Sequence, residues 1–211
     1  MTLAGIQHSL FETDVDAGPT VHPLAGAVRR RHLSDGAWVD LRPGWLTGTT
    51  GLFGELTDQV PWRAERRRMY DATLPVPRLT AHYPAGAQLP LPLLRTLRDR
   101  LSDHYRAELP EGFVSAGLCL YRDGRDSVAW HGDRIGRGAD HDTLVAIISL
   151  GSPRVLALRP RDGGRSLRFT LGSGDLLVMG GSCQRTWDHA VPKSPGAGPR
   201  LSIQFRPPGV R

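Results

Sequence analysis

The residues best suited to chemistry in this 211-residue chain are two histidines, one aspartate and a closing row of arginines. His131-Gly132-Asp133 stands at the end of a strand-like run. Residues i and i+2 of a strand project to the same side, so His131 and Asp133 aim at one point. Gly132 between them has no side chain to crowd it. The pair supplies an imidazole and a carboxylate, two legs of a metal site. His189, which follows Trp187-Asp188 and precedes Ala190-Val191-Pro192, is the best candidate for the third. Two histidines and one carboxylate with open positions suit non-haem iron(II), where a co-substrate and dioxygen bind side by side. A bare His-x-Asp is a weak pattern, and a surface histidine and aspartate in a turn satisfy it equally. His141-Asp142 is a neighbouring decoy, because adjacent residues on a strand point to opposite faces.

The run Arg200-Leu201-Ser202-Ile203-Gln204-Phe205-Arg206 alternates without a break. Leu201, Ile203 and Phe205 face one side; Arg200, Ser202, Gln204 and Arg206 face the other. Any half-buried strand shows such alternation with its polar side in water. Inside a barrel the same row would clamp a dicarboxylate such as 2-oxoglutarate, whose carboxylate needs a bidentate cation. Arg206 can provide one.

The elements that must position these residues divide the chain unevenly. Residues 1–28 mix Gly, Pro, Thr, His and Asp with little periodicity and read as a flexible arm. Arg29-Arg30-Arg31 follows, then a short strand over Ala37–Leu41 and a turn at Pro43-Gly44. Leu52, Phe53, Leu56 and Val60 recur at helical spacing, with Pro61 closing the helix. Leu94, Leu97, Leu101 and Tyr105 form one face of a second helix from about Pro92 to Glu108. From Phe113 onward short strands alternate with turns: Val114–Tyr121, Ser127–His131, Thr143–Ser149, Arg154–Arg159, Ser166–Leu171, Asp175–Met179 and Leu201–Arg206. Helices confined to the N-terminal half and strands in the rest predict a mainly β (α+β) jelly roll buttressed by N-terminal helices.

Composition is that of a soluble globular protein: 39% hydrophobic and 23% charged. No apolar run is long enough to span a bilayer, and no export signal is evident, which predicts a cytoplasmic location and a monomer without membrane partners. Two cysteines, Cys119 and Cys183, read as reduced thiols and are too few for a Cys-based zinc site. The formal charge of +6 favours a polyanionic partner. Lys193 is the only lysine, so the positive charge is nearly all arginine, a bias that a GC-rich genome also produces.

Taken together, Tyr121-Arg122-Asp123-Gly124-Arg125-Asp126-Ser127-Val128-Ala129-Trp130-His131-Gly132-Asp133, His189 and the row Arg200 to Arg206 resemble the AlkB family of iron(II)- and 2-oxoglutarate-dependent dioxygenases. The resemblance is dense over the last hundred residues and looser through Pro61-Trp62 and Pro77-Arg78. It implies one dioxygenase domain over 29–211, with a nucleotide-recognition lid in 29–90 and a double-stranded β-helix core in 113–211. It implies Fe(II) held by His131, Asp133 and His189. Arg206 would pair with the distal carboxylate of 2-oxoglutarate, with Arg200 near its metal-bound end and Tyr121 hydrogen-bonded to it. With O2 the implied reaction is oxidative dealkylation of N-alkylated bases in DNA, releasing succinate and an aldehyde. A base must leave its stack to reach such a site. Met69, Tyr70, His82 and Tyr83 in the lid are candidates to stack on it, and Arg63, Arg66, Arg67 and Arg68 to contact phosphate or to form a solvated helix face. Cys119 stands where the family commonly has Asn, and Ser202 and Gln204 where it often has Asn and Thr. Two rival readings are an oxygenase acting on RNA, protein or lipid, and a non-catalytic nucleic-acid-binding β-helix module.

Overall fold

The computed structural model describes residues 18–69, 72–133 and 136–210, with the backbone alone for 67–69 and 72–75. The N-terminal half holds β1 (Thr20–Val21), β2 (Arg29–His32), β3 (Ala37–Arg42), β4 (Leu46–Thr47), α1 (Thr50–Gln59), β5 (Arg63–Met69), β6 (Ala72–Tyr83) and α2 (Pro92–His104). Next come β7 (Ser115–Tyr121), β8 (Val128–His131), β9 (Val145–Gly151), β10 (Arg154–Pro160) and β11 (Leu167–Leu171). The chain closes with β12 (Leu176–Gly181), the single turn α3 (Cys183–Thr186), β13 (Trp187–Val191) and β14 (Arg200–Arg206). The seven strands expected after Phe113 are all present, their ends displaced by no more than two residues.

Eight strands make one antiparallel sheet in the order β2-β3-β12-β9-β14-β7-β6-β5, and four make a second, β11-β10-β13-β8. The larger sheet is covered on both faces. On one face Leu118, Ile148, Leu201, Ile203 and Phe205 pack with Leu52 and Leu56 of α1 and Leu94, Leu97 and Leu101 of α2. On the other, Val39, Val145, Ile147, Leu177 and Met179 meet Leu156, Leu158, Phe169 and Leu171 of the smaller sheet. Double burial explains why β9 reads Val-Ala-Ile-Ile-Ser-Leu, a near-continuous apolar run instead of an alternating one. Two sheets face to face, with helices behind the larger, form the expected jelly roll.

Two expectations are corrected here. Residues 18–28 are docked: β1 pairs with β4, His22 N–H donates to the Trp45 carbonyl, and Leu24 is buried in the core. Val21 and Leu24 supply the apolar contacts that hold this segment; residues 1–17 lie outside the described residues. Arg63 to Arg68 lie on strand β5 and form no helix face. Within 29–90, β2, β3, β5 and β6 extend the same sheet that carries β14. Among the described residues no helix is long and apolar enough to cross a membrane.

Candidate metal centre

β8 and β13 pair antiparallel, with His189 opposite His131 and Val191 opposite Val128. Three steps on β8 therefore match two on β13, which is a β-bulge. On a regular strand residues three apart face opposite sides; the bulge turns both Val128 and His131 into one cavity between the sheets. It also sets the Ala129 carbonyl 2.8 Å from His131 Nδ1. A carbonyl only accepts, so the neutral ring carries its proton on Nδ1 and leaves the Nε2 lone pair free for a metal. The rings of His131 and His189 lie 4.2 Å apart between centroids.

Asp133 sits past the end of β8, where no ladder holds it. Its N–H donates to Gln184 Oε1 at 3.1 Å, and its Oδ2 accepts from Arg206 Nε at 2.8 Å. Oδ1 lies 4.0 Å from His131 Nε2. One ligand atom from each of His131, Asp133 and His189 falls within 4.8 Å of the others. Burial alone would raise the Asp133 carboxyl, but Arg206 and the two histidines bring it down to about 2. Burial and the neighbouring His131 push His189 down to about 3. The carboxylate is thus charged and the imidazole neutral, the forms in which both bind a metal.

The polar side of β14 points into the same cavity and not into water. Arg200, Ser202 and Gln204 are buried, and Gln204 Nε2 donates to Ser202 Oγ at 2.5 Å. Cys119 lies opposite Ser202, with its Sγ 3.8 Å from Gln204 Oε1. Arg200 Nε donates to Ser149 Oγ at 3.0 Å, and its guanidinium sits 5.1 Å from the Tyr121 ring centre. Arg200 Nη1 is buried and has no hydrogen-bond partner among the described residues. Burial pushes the Tyr121 hydroxyl up to about 12, so it stays a protonated donor.

Residues 52–206 match the family model described as the 2OG-Fe(II) oxygenase superfamily, from α1 to the last arginine of β14. The chain belongs to this superfamily. Within it the likeness is to the AlkB type. Alpha-ketoglutarate-dependent dioxygenase alkB homolog 3 of Mus musculus is 31% identical over 199 residues, 80% of this chain and 65% of that protein. DNA oxidative demethylase ALKBH2 of Arabidopsis thaliana is 28% identical over 200 residues, 74% of this chain and 60% of that protein. The chain thus spans just under two thirds of the length of these relatives. The solved structure of OsALKBH1 shares the fold, with a TM-score of 0.60 at 16% identity over 85% of this chain and 100% of that one. Members of the superfamily use Fe(II), 2-oxoglutarate and O2.

Against this AlkB-type frame, the structure brings together His131, His189, Tyr121, Cys119, Arg200, Ser202, Gln204 and Arg206 around one cavity, with Asp133 bonded to Arg206 at its edge. It reverses the order expected for the arginines. Arg206 is the one beside the metal ligands, held by Asp133. Arg200 is six residues away on the strand, about 20 Å by the usual rise, beside Tyr121 and Ser149. Of the expected lid residues, His82 and Tyr83 do not converge on the site. Tyr83 alternates with Ala81 and Leu79 onto the helix-side core, because it lies opposite Ala116 on β7. His82 is exposed and absent from the cavity wall. Met69's side chain and Tyr70 lie outside the described residues. His141-Asp142 is apart from the cluster, with Asp142 paired to Arg185.

Sequence reasoning gave no role to three contributors. Gln184 holds Asp133 from α3; a buried glutamine five residues before a ligand carries no pattern of its own. Arg78 of β6 lines the cavity, and only its place in Pro77-Arg78 marked it. Gly117 leaves room for two site side chains: a Cβ there would stand 2.9 Å from Arg206 Nη1 and 3.1 Å from Gln204 Oε1.

Proposed function

We propose that this chain is an iron(II)- and 2-oxoglutarate-dependent dioxygenase that removes alkyl groups oxidatively from nitrogens of DNA bases. The observation that carries the reading is the Arg200 guanidinium, 1% exposed, lining the cavity of the metal-binding residues with Nη1 unpartnered among the described residues. A buried cation without a counter-charge is costly, and a dicarboxylate seated against it removes that cost. The donor set fits the metal equally well: two imidazoles and a charged carboxylate, converging from β8, the residues just after it, and β13.

In this reading His131, Asp133 and His189 hold the iron, and Arg200 with Tyr121 takes the far carboxylate of 2-oxoglutarate. Arg206 occupies one oxygen of Asp133, which leaves the other directed at the metal. Val145, Ile147, Leu156 and Val191 line the cavity and keep water from it. When bound, the iron and co-substrate turn O2 into an oxidant for a C–H bond: 2-oxoglutarate becomes succinate and CO2, the N-alkyl carbon gains a hydroxyl, and the hemiaminal expels an aldehyde. The protein's share is to orient the alkylated base over His131, whose side chain is 41% exposed at the cavity. DNA as substrate is supported by the formal charge of +6 and by the relative named as a DNA oxidative demethylase.

The test is formaldehyde and succinate production from methylated single-stranded DNA, RNA and protein, with Asp133→Ala as control. Release from DNA that the variant abolishes is expected. Release from RNA alone removes the DNA assignment, and release from none removes the dealkylase. Anaerobic addition of Fe(II) and 2-oxoglutarate should also produce a metal-to-ligand charge-transfer band that His131→Ala lacks. Nucleic-acid binding without that band would leave a non-catalytic module.

A further inference from the structure

β8 is the edge strand of the smaller sheet, and its bulge turns His131 inward while leaving Trp130 outside. Trp130 is 37% exposed, the one large exposed hydrophobic side chain among the described residues. A single exposed apolar residue needs no explanation. This one, however, is held in an ordered stack. The Arg159 guanidinium lies over the Trp130 ring, 4.5 Å from its centre. Arg159 is anchored in turn by Asp188 at 3.6 Å, its cross-strand partner on β13. Side chains from three strands thus meet on the outer face of the sheet, opposite the face that carries His189 and His131.

We propose that Trp130 and Arg159 form a stacking shelf for an unpaired nucleobase that neighbours the base carried into the metal site. The proposal rests on the nucleic-acid reading above and specifies a second contact for it. Indole and guanidinium are both planar surfaces on which bases stack, whatever their sequence. Asp188 decides between base and phosphate as occupant. Its carboxylate offsets the charge of Arg159 and repels a phosphate, while leaving the flat faces in place. Position completes the argument. Trp130 immediately precedes His131, which is exposed at the cavity, so a strand with one base over His131 crosses the sheet edge at Trp130.

The test uses the full chain loaded with Fe(II), and two substrates: a methylated single-stranded DNA oligonucleotide and the corresponding methylated mononucleotide. Trp130→Ala should raise both the oligonucleotide KM and the dissociation constant from fluorescence anisotropy about ten-fold, the size of one lost base stack. The effect on the mononucleotide KM should be several-fold smaller, and Trp130→Phe should recover most of the oligonucleotide affinity. Equal losses on both substrates would mean that Trp130 acts only through its neighbour His131, which overturns the shelf. Unchanged oligonucleotide binding in Trp130→Ala, with wild type active, overturns it while leaving the dealkylase standing. A wild type that turns over neither substrate removes the nucleic-acid reading and the shelf with it.

Discussion

Asp133 lies beyond its strand, so two side chains from distant parts of the chain set its position. Arg206 holds one carboxylate oxygen, and Gln184 holds the backbone N–H. Gln184 is 1% exposed, so bulk water does not compete with its carbonyl for this N–H. Gln184→Ala should therefore weaken Fe(II) binding by about ten-fold, as loss of a group that orients a ligand commonly does, read by anaerobic titration. Unaltered affinity would mean that Arg206 alone fixes the carboxylate. The second prediction at this scale concerns pH. His189 falls from its ordinary 6.5 to about 3 through burial and His131, so the unfolded chain binds the extra proton between those values. Stability from the neutral ring is then complete above about pH 6.5 and is lost as pH falls toward 3. Thermal melts of the metal-free protein should show Tm dropping across that window, and His189→Asn should flatten the drop.

Strand β14 shows what an element's pattern can and cannot reveal. Its alternation was legible in the sequence, but alternation alone does not say which face meets water. The order of its arginines was not legible either, since it depends on β7 and β9 placing Tyr121 and Ser149 beside Arg200. The ends of β14 should accordingly separate in their phenotypes. Arg200→Met should raise the 2-oxoglutarate requirement, and Arg206→Met the Fe(II) requirement as well, in assays that vary one at a time. The strands after Phe113 were legible because turn residues such as Asp123-Gly124 and Gly172-Ser173-Gly174 punctuate them. β13 was hidden because α3 runs straight into it without a turn signal, and β6 because Pro75 and Pro77 argue against a strand. Arg154 on β10 is another element-scale device that no periodicity marks. It is buried and donates to the carbonyls of Asp123, Asp126 and Pro192, tying the segments that enter β8 and leave β13. Arg154→Met strands these acceptors and should cost about 3 kcal/mol in urea unfolding.

For the whole molecule, charge and topology pull in one direction. The formal charge of +6 is spread over 27 basic and 21 acidic side chains, so the positive excess is small beside the number of ion pairs that can absorb it. Several arginines are absorbed in this way: Arg30 by Asp40, Arg122 by Asp126 and Arg206 by Asp133. Arg63 on β5 is exposed and lies at the edge of the larger sheet, in the hairpin that continues into the cavity-lining Arg78. A polyanion engaged there displaces counterions, and its affinity must then fall with salt. With about three to five phosphates contacted, log K for single-stranded DNA should fall with a slope of about −2 to −3.5 against log salt. Anisotropy titrations between about 50 and 200 mM salt measure it. Arg63→Gln should reduce the slope by roughly the share of one contact. A slope near zero would mean that stacking and the metal-site cavity carry the binding, and that the basic composition has no part in it.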